Sequence, residues 1–467
     1  TGILLYDFGN YEIVPTQAYS VKQQSTLVKE TTTLEVSSTR LTVATYNAEN
    51  LDPADGAGRF ATIAQEILNN LKAPDVVALQ EVQDSDGPGN AAGSTVTAAS
   101  VTLQALVDAI NGAAPAGVTY AFIDNPFIGD DTNGGEPGGN IRNAFIYRTD
   151  RVDFVDGSLK TVAANGTPIS DPAGNADQQT NIDNPFFASR PPLIATFEFN
   201  GQDVTIVNNH FTSKGGSGAL FGSDASPINA GEVQRAGQAQ AVNSFVDSML
   251  ASDSDARVLV TGDFNDFETE QPLDVLRGEA TITNYDVPGT NTTDATATYT
   301  PGGTQVLYDL IETLPVAERY DYVFEGNAQS LDHALVTNGL LDGAEFDVVR
   351  INAEFGDQTS DHDPMIVSFD LPEEQENFIL QLLHLSDGEA GLLAPLTAPN
   401  LAALVDAFDG AYANTLILSG GDNFLAGPFM AAGTDLSVKS VLNEVTGPTI
   451  SSSTSTHIPI SAVDIGI

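Results

Sequence analysis

The order of strand-like and helix-like segments predicts an α+β fold, a mixed α/β sandwich, for the central part of the chain. Three observations support this prediction. Short apolar runs rich in β-branched residues, bounded by Gly and polar residues, are typical of buried strands. Apolar residues at helical spacing lie between several of these runs. The connections have both hairpin and crossover lengths, which favours mixed sheets over purely parallel ones.

The clearest predicted strand covers residues 257–263 and delivers a carboxylate and an amide into the turn that follows it. Asp263 and Asn265 are two residues apart, so both can face one cavity at the strand end. A carboxylate oxygen and an amide suit a divalent cation and a phosphate. The alternative is an Asx-type turn that only closes the strand.

Four other strand-like runs meet similar polar residues at one end. Three of them run into Asn47, Glu81 and His210, and the polar segment 360–363 precedes the strand 365–369. Ligands bind where the ends of strands converge in a sheet. Five polar strand ends of complementary chemistry therefore predict one site.

The other elements follow from local patterns along the chain. Alternating apolar and polar residues on both sides of Gly9 and Asn10 predict a hairpin within residues 1–20. Helices are expected at about 60–71, 103–110 and 231–250, and strands at about 42–46, 75–80, 118–123, 142–147, 193–199, 203–209, 320–324 and 331–337. Polar, Gly-rich stretches predict loops at 124–140, 163–185 and 286–303.

Six short motifs within residues 39–371 resemble, in order, those of the endonuclease/exonuclease/phosphatase superfamily. The motifs cover residues 47–50, 79–82, 209–214, 262–266, 331–334 and 360–364, and read NAEN, LQEV, NHFTSK, GDFND, LDHA and SDHDP. The resemblance implies a four-layer α/β/β/α sandwich of the deoxyribonuclease type. It also implies a metal-dependent hydrolase of phosphoric esters.

The resemblance further implies roles for the matched residues. Glu81 is expected to be the principal ligand of Mg²⁺ or Mn²⁺, with Asn47 and Asp361 nearby. His362 is expected to act as the general base that deprotonates water. Asp332 would orient the imidazole of His362 and raise its basicity.

Three more matched residues would act on the phosphate. Asp263 and Asn265 are expected to position the nucleophile and the phosphate, and His210 to stabilise the charged phosphoryl group or assist the leaving group. Asp321, in the preceding strand-like run, is an alternative to Asp332, although the strand after Asp332 is more regular. For each His, a purely structural role is the alternative.

Two loops and two cations complete the candidates. Arg142 and Lys214 are rare cations in this acidic chain and are candidate phosphate contacts, with surface ion pairs as the alternative. Asp130 and Asp131 lie in a Gly-rich loop and are candidates for a structural Ca²⁺ site. A mobile rim loop is the simpler interpretation of that stretch.

Residues 378–467 predict a β-α-β unit with Asp387 and Asp422 at the ends of its two strands. The unit resembles the start of a calcineurin-like metallophosphoesterase of the 5′-nucleotidase type, in which both Asp residues would bind metal. Glu389 replaces the His expected in the first motif, and the later His motifs are missing. We expect no activity from this incomplete domain.

These assignments divide the chain into three parts, in line with the two to four domains that 467 residues predict. Residues 1–38 are expected to be a linker preceded by a hairpin that resembles the end of an upstream β-barrel domain. Residues 39–372 are the expected catalytic domain, and residues 373–467 the N-terminal part of the metallophosphoesterase domain. The remaining domains of a longer polypeptide are therefore expected partners.

The chain is strongly acidic, with 63 Asp and Glu against 17 Lys and Arg and a formal net charge of −46. A nucleic-acid substrate would need metal ions, a local cluster of basic residues, or salt that screens the repulsion. The absence of Cys excludes disulfides and zinc-thiolate sites, and no stretch has the length of an apolar transmembrane helix. Because Thr1 is no initiator, we expect a mature or excised piece of a secreted or cell-surface bacterial protein.

The sequence thus predicts a secreted, divalent-metal-dependent phosphodiesterase, most simply a nuclease that hydrolyses extracellular DNA or RNA for phosphate or nucleotide scavenging. A phosphatase or another phosphodiesterase on the same fold is the alternative, because the superfamily acts on many phosphates. An inactive extracellular structural module is a third interpretation. The complete set of candidate residues favours an enzyme.

Overall fold

The structure is a computed structural model in which the chain divides into two compact units, residues 1–374 and residues 375–467. The residues that it describes are 2–7, 10–23, 25–88, 94–136, 138–218, 227–288, 294–373, 381–385, 403, 407–408 and 415–419. Within these ranges, no helix combines the length and the apolar character needed to span a membrane.

Strands and helices alternate along most of the first unit, and the last two strands named here belong to the second unit. The strands are β1 (Gly2–Asp7), β2 (Asn10–Pro15), β3 (Arg40–Leu51), β4 (Val76–Val82), β5 (Tyr120–Ile123), β6 (Arg142–Arg148), β7 (Asp153–Phe154), β8 (Thr161–Val162), β9 (Pro168–Ile169), β10 (Leu193–Phe199), β11 (Gln202–His210), β12 (Val258–Asp263), β13 (Ala280–Asp286), β14 (Thr296–Pro301), β15 (Tyr308–Asp309), β16 (Tyr322–Phe324), β17 (Asn327–Gln329), β18 (Asp332–Val336), β19 (Glu345–Val348), β20 (Met365–Asp370), β21 (Gln381–Leu385) and β22 (Thr415–Ser419). The α-helices are α1 (Gly56–Gln65), α2 (Ser100–Ala113), α3 (Ala176–Thr180), α4 (Glu232–Ser252), α5 (Gln271–Arg277) and α6 (Asn338–Leu341).

Two six-stranded mixed sheets form the centre of the first unit. The strand order is β19-β20-β3-β4-β6-β5 in the first sheet and β15-β18-β12-β11-β10-β7 in the second. Apolar side chains of both sheets, such as Val43, Phe145, Phe197 and Ile206, share one buried core. Helices α1 and α2 pack on the other face of the first sheet, and α4 and α5 on that of the second. This arrangement confirms the predicted four-layer α/β/β/α sandwich.

The alternation of side chains explains why the central strands are apolar on both faces. Val43 of β3 belongs to the core between the sheets, whereas Ala44 packs in the core shared with α1 and α2. In β12, Leu259 faces the other sheet, and Val258 and Val260 face the helices. A strand covered on both faces therefore reads as a continuous apolar run.

Two parallel strand pairs bring the polar strand ends together. β3 pairs in parallel with β4, and β11 pairs in parallel with β12, so each pair ends at one edge of its sheet. His210 lies opposite Asp263 in this register, and the antiparallel strand β18 places Asp332 opposite Asp263 on the other side. The backbone register alone thus places these chemically active residues side by side.

A buried polar bridge joins the two sheets next to these strand ends. Asn208 of β11 donates through Nδ2 to the carbonyl oxygens of Leu79 and Ala144, at 3.0 and 2.9 Å. The Nε2 group of Gln80 donates to Asn208 Oδ1 at 2.7 Å. Because buried polar groups are costly without partners, this bridge favours one relative position of the sheets.

Two stretches that the sequence predicts to be loops contain regular structure. Residues 286–303 include β14, which pairs with β13 in an antiparallel hairpin, and residues 163–185 include α3 and β9. In β14, Ala297 and Tyr299 pack on the core beneath α4. The loop prediction was wrong here because a period-two pattern, once paired and buried on one face, outweighs the Thr, Asn and Gly content.

The ends of the chain contain the predicted local elements. β1 and β2 pair as an antiparallel hairpin with Asp7 opposite Asn10. In the second unit, β21 and β22 pair in parallel, as a β-α-β unit requires. The origin of the first in a barrel domain and of the second in a metallophosphoesterase stay predictions. Asp387, Glu389 and Asp422 lie outside the described residues.

Candidate active site

Side chains from both sheets meet at the centre of the candidate site. The Nδ2 atom of Asn47 lies 3.2 Å from Glu81 Oε1 and 3.2 Å from Asp263 Oδ2. Asn47 and Glu81 belong to β3 and β4 of the first sheet, and Asp263 ends β12 of the second. The structure therefore brings together three residues that the sequence assigned to one site.

Left-handed backbone conformations surround this convergence. Glu49, Asn50, Glu81 and Asn265 have φ angles of 46°, 54°, 57° and 51°, a region that residues other than Gly rarely adopt. Each such conformation costs about 1–3 kcal/mol and persists only where other contacts hold it. One such contact is the N–H of Asn50, which donates to Glu81 Oε2 at 3.0 Å. Backbone strain of this kind is concentrated at functional sites.

His210 closes the site from the end of β11. Its Nε2 atom lies 3.4 Å from Asp263 Oδ2 and 3.8 Å from Glu81 Oε1. Burial, helped by the charges of Arg190 and His362, holds the pKa of His210 well below its ordinary value. The imidazole is therefore neutral near pH 7, and it can donate a hydrogen bond to a phosphoryl oxygen without adding charge.

His362 lies just before β20, and two buried carboxylates hold its imidazole. Its Nδ1 atom is 2.5 Å from Asp332 Oδ2 and 3.5 Å from Asp321 Oδ2, and its Nε2 atom is 3.9 Å from Asp263 Oδ2. Asp332 is thus the direct partner, whereas Asp321 accepts hydrogen bonds from the N–H groups of Leu331 and Asp332. Burial lowers the pKa of His362, but the carboxylates outweigh burial and raise that pKa well above its ordinary value.

The turn after β12 combines both interpretations that the sequence allowed. Asp263 Oδ1 accepts from the N–H of Asn265 at 2.8 Å, which is an Asx-type turn. Asp263 Oδ2 faces Asn47 and His210 at the same time. Asn265 Nδ2 donates to the carbonyl oxygen of Phe211 at 3.3 Å. The Asx-type turn therefore positions the carboxylate of Asp263 in the site, so the two interpretations are compatible.

A network of buried charges stands behind that turn. Asp266 pairs with Lys214 Nζ and with Arg235 Nε, both at 2.8 Å. His333 joins the turn to β15, since Nδ1 lies 2.7 Å from Asp309 Oδ2 and Nε2 lies 2.9 Å from the carbonyl oxygen of Asp266. Burial lowers the pKa of His333, but Asp309 reverses the effect and the pKa is raised to about 9. The protonated ring donates to both partners.

The two predicted phosphate contacts carry charges that are already paired. Arg142 is fully buried, and its NH1 group lies 3.0 Å from Asp124 Oδ1. Lys214 pairs with Asp266, and its Nζ atom lies 4.5 Å from the centroid of the Phe267 ring. For Arg142, burial and the pairing with Asp124 favour the ion-pair alternative, and the phosphate contact stays a prediction. Lys214 reaches a phosphate only if it leaves Asp266.

The remaining predicted ligands lie further out. Asp361 is at the rim, with Oδ1 3.9 Å from His362 Nε2 and its side chain 37% exposed. Asp130 and Asp131 are exposed, and they join none of the His and acidic groups, among the described residues, that are close enough to share a metal ion. The loop therefore offers no support for the predicted Ca²⁺ site.

Sequence reasoning missed two neighbours of the site. Arg190 is buried, donates to the carbonyl oxygen of Phe211, and adds a positive charge that opposes the rise that burial causes in the pKa of Glu81. The ring of Tyr322 lies 4.7 Å from the His362 ring, centroid to centroid. The scarcity of cations was the available signal for Arg190. No local pattern distinguishes Tyr322 from any other strand residue.

Converging carboxylates and imidazoles, at the joined edges of two sandwiched sheets, define a hydrolase of phosphoric esters. The chain belongs to the endonuclease/exonuclease/phosphatase family, whose model matches residues 44–362, more than half of the sequence. It is an enzyme of that family's type, a metal-dependent phosphoric-ester hydrolase.

Several solved structures are similar to this chain. A protein of the same family from Bacteroides vulgatus shares 18% identity, with 71% of this chain and 99% of that chain covered and a TM-score of 0.43. Mannosyl-6-phosphatase from Bacteroides thetaiotaomicron shares 19% identity, with 70% and 98% covered and a TM-score of 0.38. Truncated TDP2 from Caenorhabditis elegans shares 14% identity, with 71% and 98% covered and a TM-score of 0.43. No curated protein matches the sequence.

Enzymes of this family depend on divalent metal ions, and the centre of the site fits such an ion. Glu81, His210 and Asp263 offer ligand atoms that all lie within 4.8 Å of one another. Burial raises the pKa of Glu81 and raises that of Asp263 to about 7, although His362 acts in the opposite direction. The half-buried carboxylate of Glu81 and the buried carboxylate of Asp263 therefore lack enough nearby positive charge to offset the cost of ionisation. Their hard oxygens, with Asn47 beside them, suit Mg²⁺ or Mn²⁺.

The residues around this centre can divide the work of hydrolysis. A bound divalent cation supplies positive charge against which the phosphoryl oxygens are stabilised. The raised pKa favours a protonated His362 in the metal-free protein, and a cation bound at the centre would oppose that rise. Once deprotonated, His362, with Nδ1 bonded to Asp332, can accept a proton from water at Nε2. Where the carboxylates of Glu81 and Asp263 hold the metal without His210, the imidazole of His210 can donate from Nε2 to a phosphoryl oxygen. Proton removal and charge stabilisation therefore meet around Asp263.

Proposed function

We propose that the chain is a phosphodiesterase that cleaves nucleic acid, with His362 as the base that activates water and Glu81 as the principal metal ligand. The observation that carries the proposal is the His362–Asp332 pair, whose free Nε2 lies 3.9 Å from Asp263 in the same cluster as Glu81. A base beside a metal centre suits attack by water on the phosphorus atom of a phosphate bound at that metal.

The charge around the site favours a diester over a monoester. A phosphodiester carries one negative charge, whereas a monoester carries up to two near pH 7. Lys214, Arg142 and Arg235 are paired with carboxylates. Arg190 is buried, donates to the carbonyl oxygen of Phe211 and interacts with Glu81 and Asp263. These cations therefore offer little to a second charge. Four of the eight residues that line a cavity of about 390 Å³ next to Glu49 and Asn50 are acidic, and these carboxylates would repel the second charge of a monoester. The lining residues are Glu49, Asp52, Asp55 and Glu136, with Asn50, Arg59, Gln358 and Thr359.

The proposal includes the setting in which the enzyme acts. Strong acidity and the absence of Cys are compatible with a secreted protein in saline surroundings. There it would release phosphate or nucleotides from extracellular DNA or RNA.

The experiment that tests the proposal compares substrates under defined metal conditions. The purified chain is incubated with DNA, RNA, bis-p-nitrophenyl phosphate and a phosphomonoester, with Mg²⁺, Mn²⁺ or Ca²⁺, and with chelator. We expect cleavage of the diesters that depends on Mg²⁺ or Mn²⁺ and is lost in His362→Ala. Faster hydrolysis of the monoester would make the enzyme a phosphatase, and no hydrolysis of any substrate would favour an inactive module.

A further inference from the structure

The hairpin formed by β16 and β17 begins at the catalytic imidazole. Tyr322, the first residue of β16, forms an antiparallel backbone bridge with His362. The N–H of Asp363 donates to the carbonyl oxygen of Asp321 at 2.7 Å. The hairpin is therefore attached to the site through the backbone at His362 and Asp363.

The hairpin is a pre-organised element rather than an irregular loop. Phe324 pairs with Asn327, so two residues form the turn between them. These residues, Glu325 and Gly326, have φ angles of 50° and 80°. Positive φ at both central positions is the pattern of a type I′ turn, whose twist matches that of the strands. Binding of a ligand to this hairpin would therefore cost little conformational entropy.

Three rings form a line from the site along one face of this hairpin. The Tyr322 ring lies 4.7 Å from the His362 ring, and the Phe324 ring lies 6.4 Å from the Tyr322 ring, measured between centroids. The Tyr322 and Phe324 rings are parallel to within 10°. Phe324 is 51% exposed. A single exposed apolar residue is ordinary, but this one continues a ring array that contacts the catalytic base.

We propose that Tyr322 and Phe324 form a stacking subsite for an unpaired nucleobase next to the phosphodiester that is cleaved. The inference rests on the proposed function and names its substrate more closely. Aromatic side chains bind successive bases of single strands by stacking, with little dependence on sequence. In a duplex the bases already stack on each other, and extruding one costs a few kcal/mol. The subsite therefore selects single strands or frayed ends.

Stacking also suits the charge of this protein. Binding through phosphates needs free cations, and Lys214 and Arg235 near the site are both held by Asp266. An uncharged contact with a base is not weakened by the net charge of −46. The aromatic hairpin thus provides affinity that electrostatics does not.

The test compares two oligonucleotides that differ only in the bases. One is a single-stranded DNA oligomer, and the other has the same length and charge but carries abasic residues on both sides of one cleavage position. Phe324→Ala should raise KM for the first oligomer about tenfold, the effect of one stacked base, and leave its kcat unchanged. The variant should leave both KM and kcat for the abasic oligomer unchanged. Phe324→Leu should behave like Phe324→Ala, and Phe324→Tyr like the unaltered protein. Val316→Ala, at a position 79% exposed in another turn, is the matched control.

The outcomes separate this inference from the proposed function. If Phe324→Ala leaves the preference for the base-containing oligomer unchanged, or if Phe324→Leu restores it, the subsite is refuted while the phosphodiesterase stands. If neither oligomer is cleaved, the proposed function fails. Fluorescence anisotropy with both oligomers in chelator then decides on the subsite. The subsite is supported if the unaltered protein binds the abasic oligomer more weakly than the base-containing one and if this difference disappears in Phe324→Ala. Equal binding of both oligomers by the unaltered protein overturns it.

Discussion

His362 Nδ1 and Asp332 Oδ2 lie 2.5 Å apart although they belong to different sheets. Asp332 begins β18 in the second sheet, and His362 lies just before β20 in the first. The pair therefore forms only when the two sheets pack against each other. The geometry of the pair depends on the same core that stabilises the fold, so the proposed base is positioned by the packing of the sandwich.

Asp332→Asn should lower kcat more than Asp321→Asn. Removing the charge behind His362 Nδ1 weakens the base, and a general base is worth about 10²–10⁴-fold. Asp321 lies 3.5 Å from that atom and accepts two backbone N–H groups, so its variant should chiefly lower thermal stability. Turnover of bis-p-nitrophenyl phosphate and melting temperature measure the two effects. Equal losses of kcat in well-folded variants would show that the carboxylates act as one unit.

Protons and the metal ion should compete at Asp263. Burial raises its pKa to about 7, so in metal-free protein this carboxyl is protonated below that pH and ionised above it. Metal ligands must be deprotonated, and the Mg²⁺ concentration for half-maximal rate should therefore fall by up to about tenfold per pH unit between roughly pH 6 and 7. Glu81→Gln should raise the Mg²⁺ requirement across this range. A requirement that is constant with pH would exclude Asp263 from the metal centre.

His333 should stabilise the fold below pH 9 and lose that effect above it. Its folded pKa is about 9, above the ordinary value of 6.5. A raised pKa contributes its full stabilisation below the unfolded value and loses it as the pH rises through the folded value. The difference corresponds to a free energy on the order of 3 kcal/mol. Chemical unfolding from pH 6 to 10 should show a decline in the free energy of unfolding that is much shallower in His333→Gln. Parallel curves for both proteins would contradict the buried imidazolium.

Local sequence patterns identified the residues that end strands. Glu81, His210 and Asp263 each follow an apolar run, and the register of two parallel strand pairs converts that position in sequence into proximity in space. The same logic located Asp332, which pairs across β12 with Asp263. Strand ends are predictable because one-dimensional periodicity determines where each strand stops.

Contacts between distant segments left no such pattern. The sequence indicated a free cation at Arg142, but its burial and its ion pair with Asp124 arise from tertiary packing, which no local pattern shows. β14 was missed because its pairing with β13 and its packing beneath α4 decide its conformation. The Tyr322 ring contacts the His362 ring only because the fold brings these two distant segments together. Sequence patterns therefore predicted which residues meet at the centre of the site better than they predicted the neighbours of those residues.

The cleavage of single-stranded DNA should resist added salt. Nucleases that bind through many phosphate contacts lose affinity steeply as salt rises, because each contact releases counterions. Here Lys214 and Arg235 are paired with Asp266, and the net charge of −46 repels the substrate. Salt therefore mainly screens repulsion, as the Debye length shrinks from about 10 Å at 0.1 M to about 3 Å at 1 M.

We expect kcat/KM on a single-stranded oligomer to stay constant or rise between about 50 and 500 mM NaCl at fixed Mg²⁺, since screening outweighs the loss of phosphate contacts. A substrate with a single charge, bis-p-nitrophenyl phosphate, should show a smaller change, because the repulsion grows with substrate charge. Lys214→Gln is the matched variant, and it should leave the slope against salt unaltered if Asp266 keeps that cation from the substrate. A fall of about fivefold over this range, the value of one phosphate contact, that disappears in Lys214→Gln would instead show that Lys214 leaves Asp266 to bind phosphate, as the sequence first indicated.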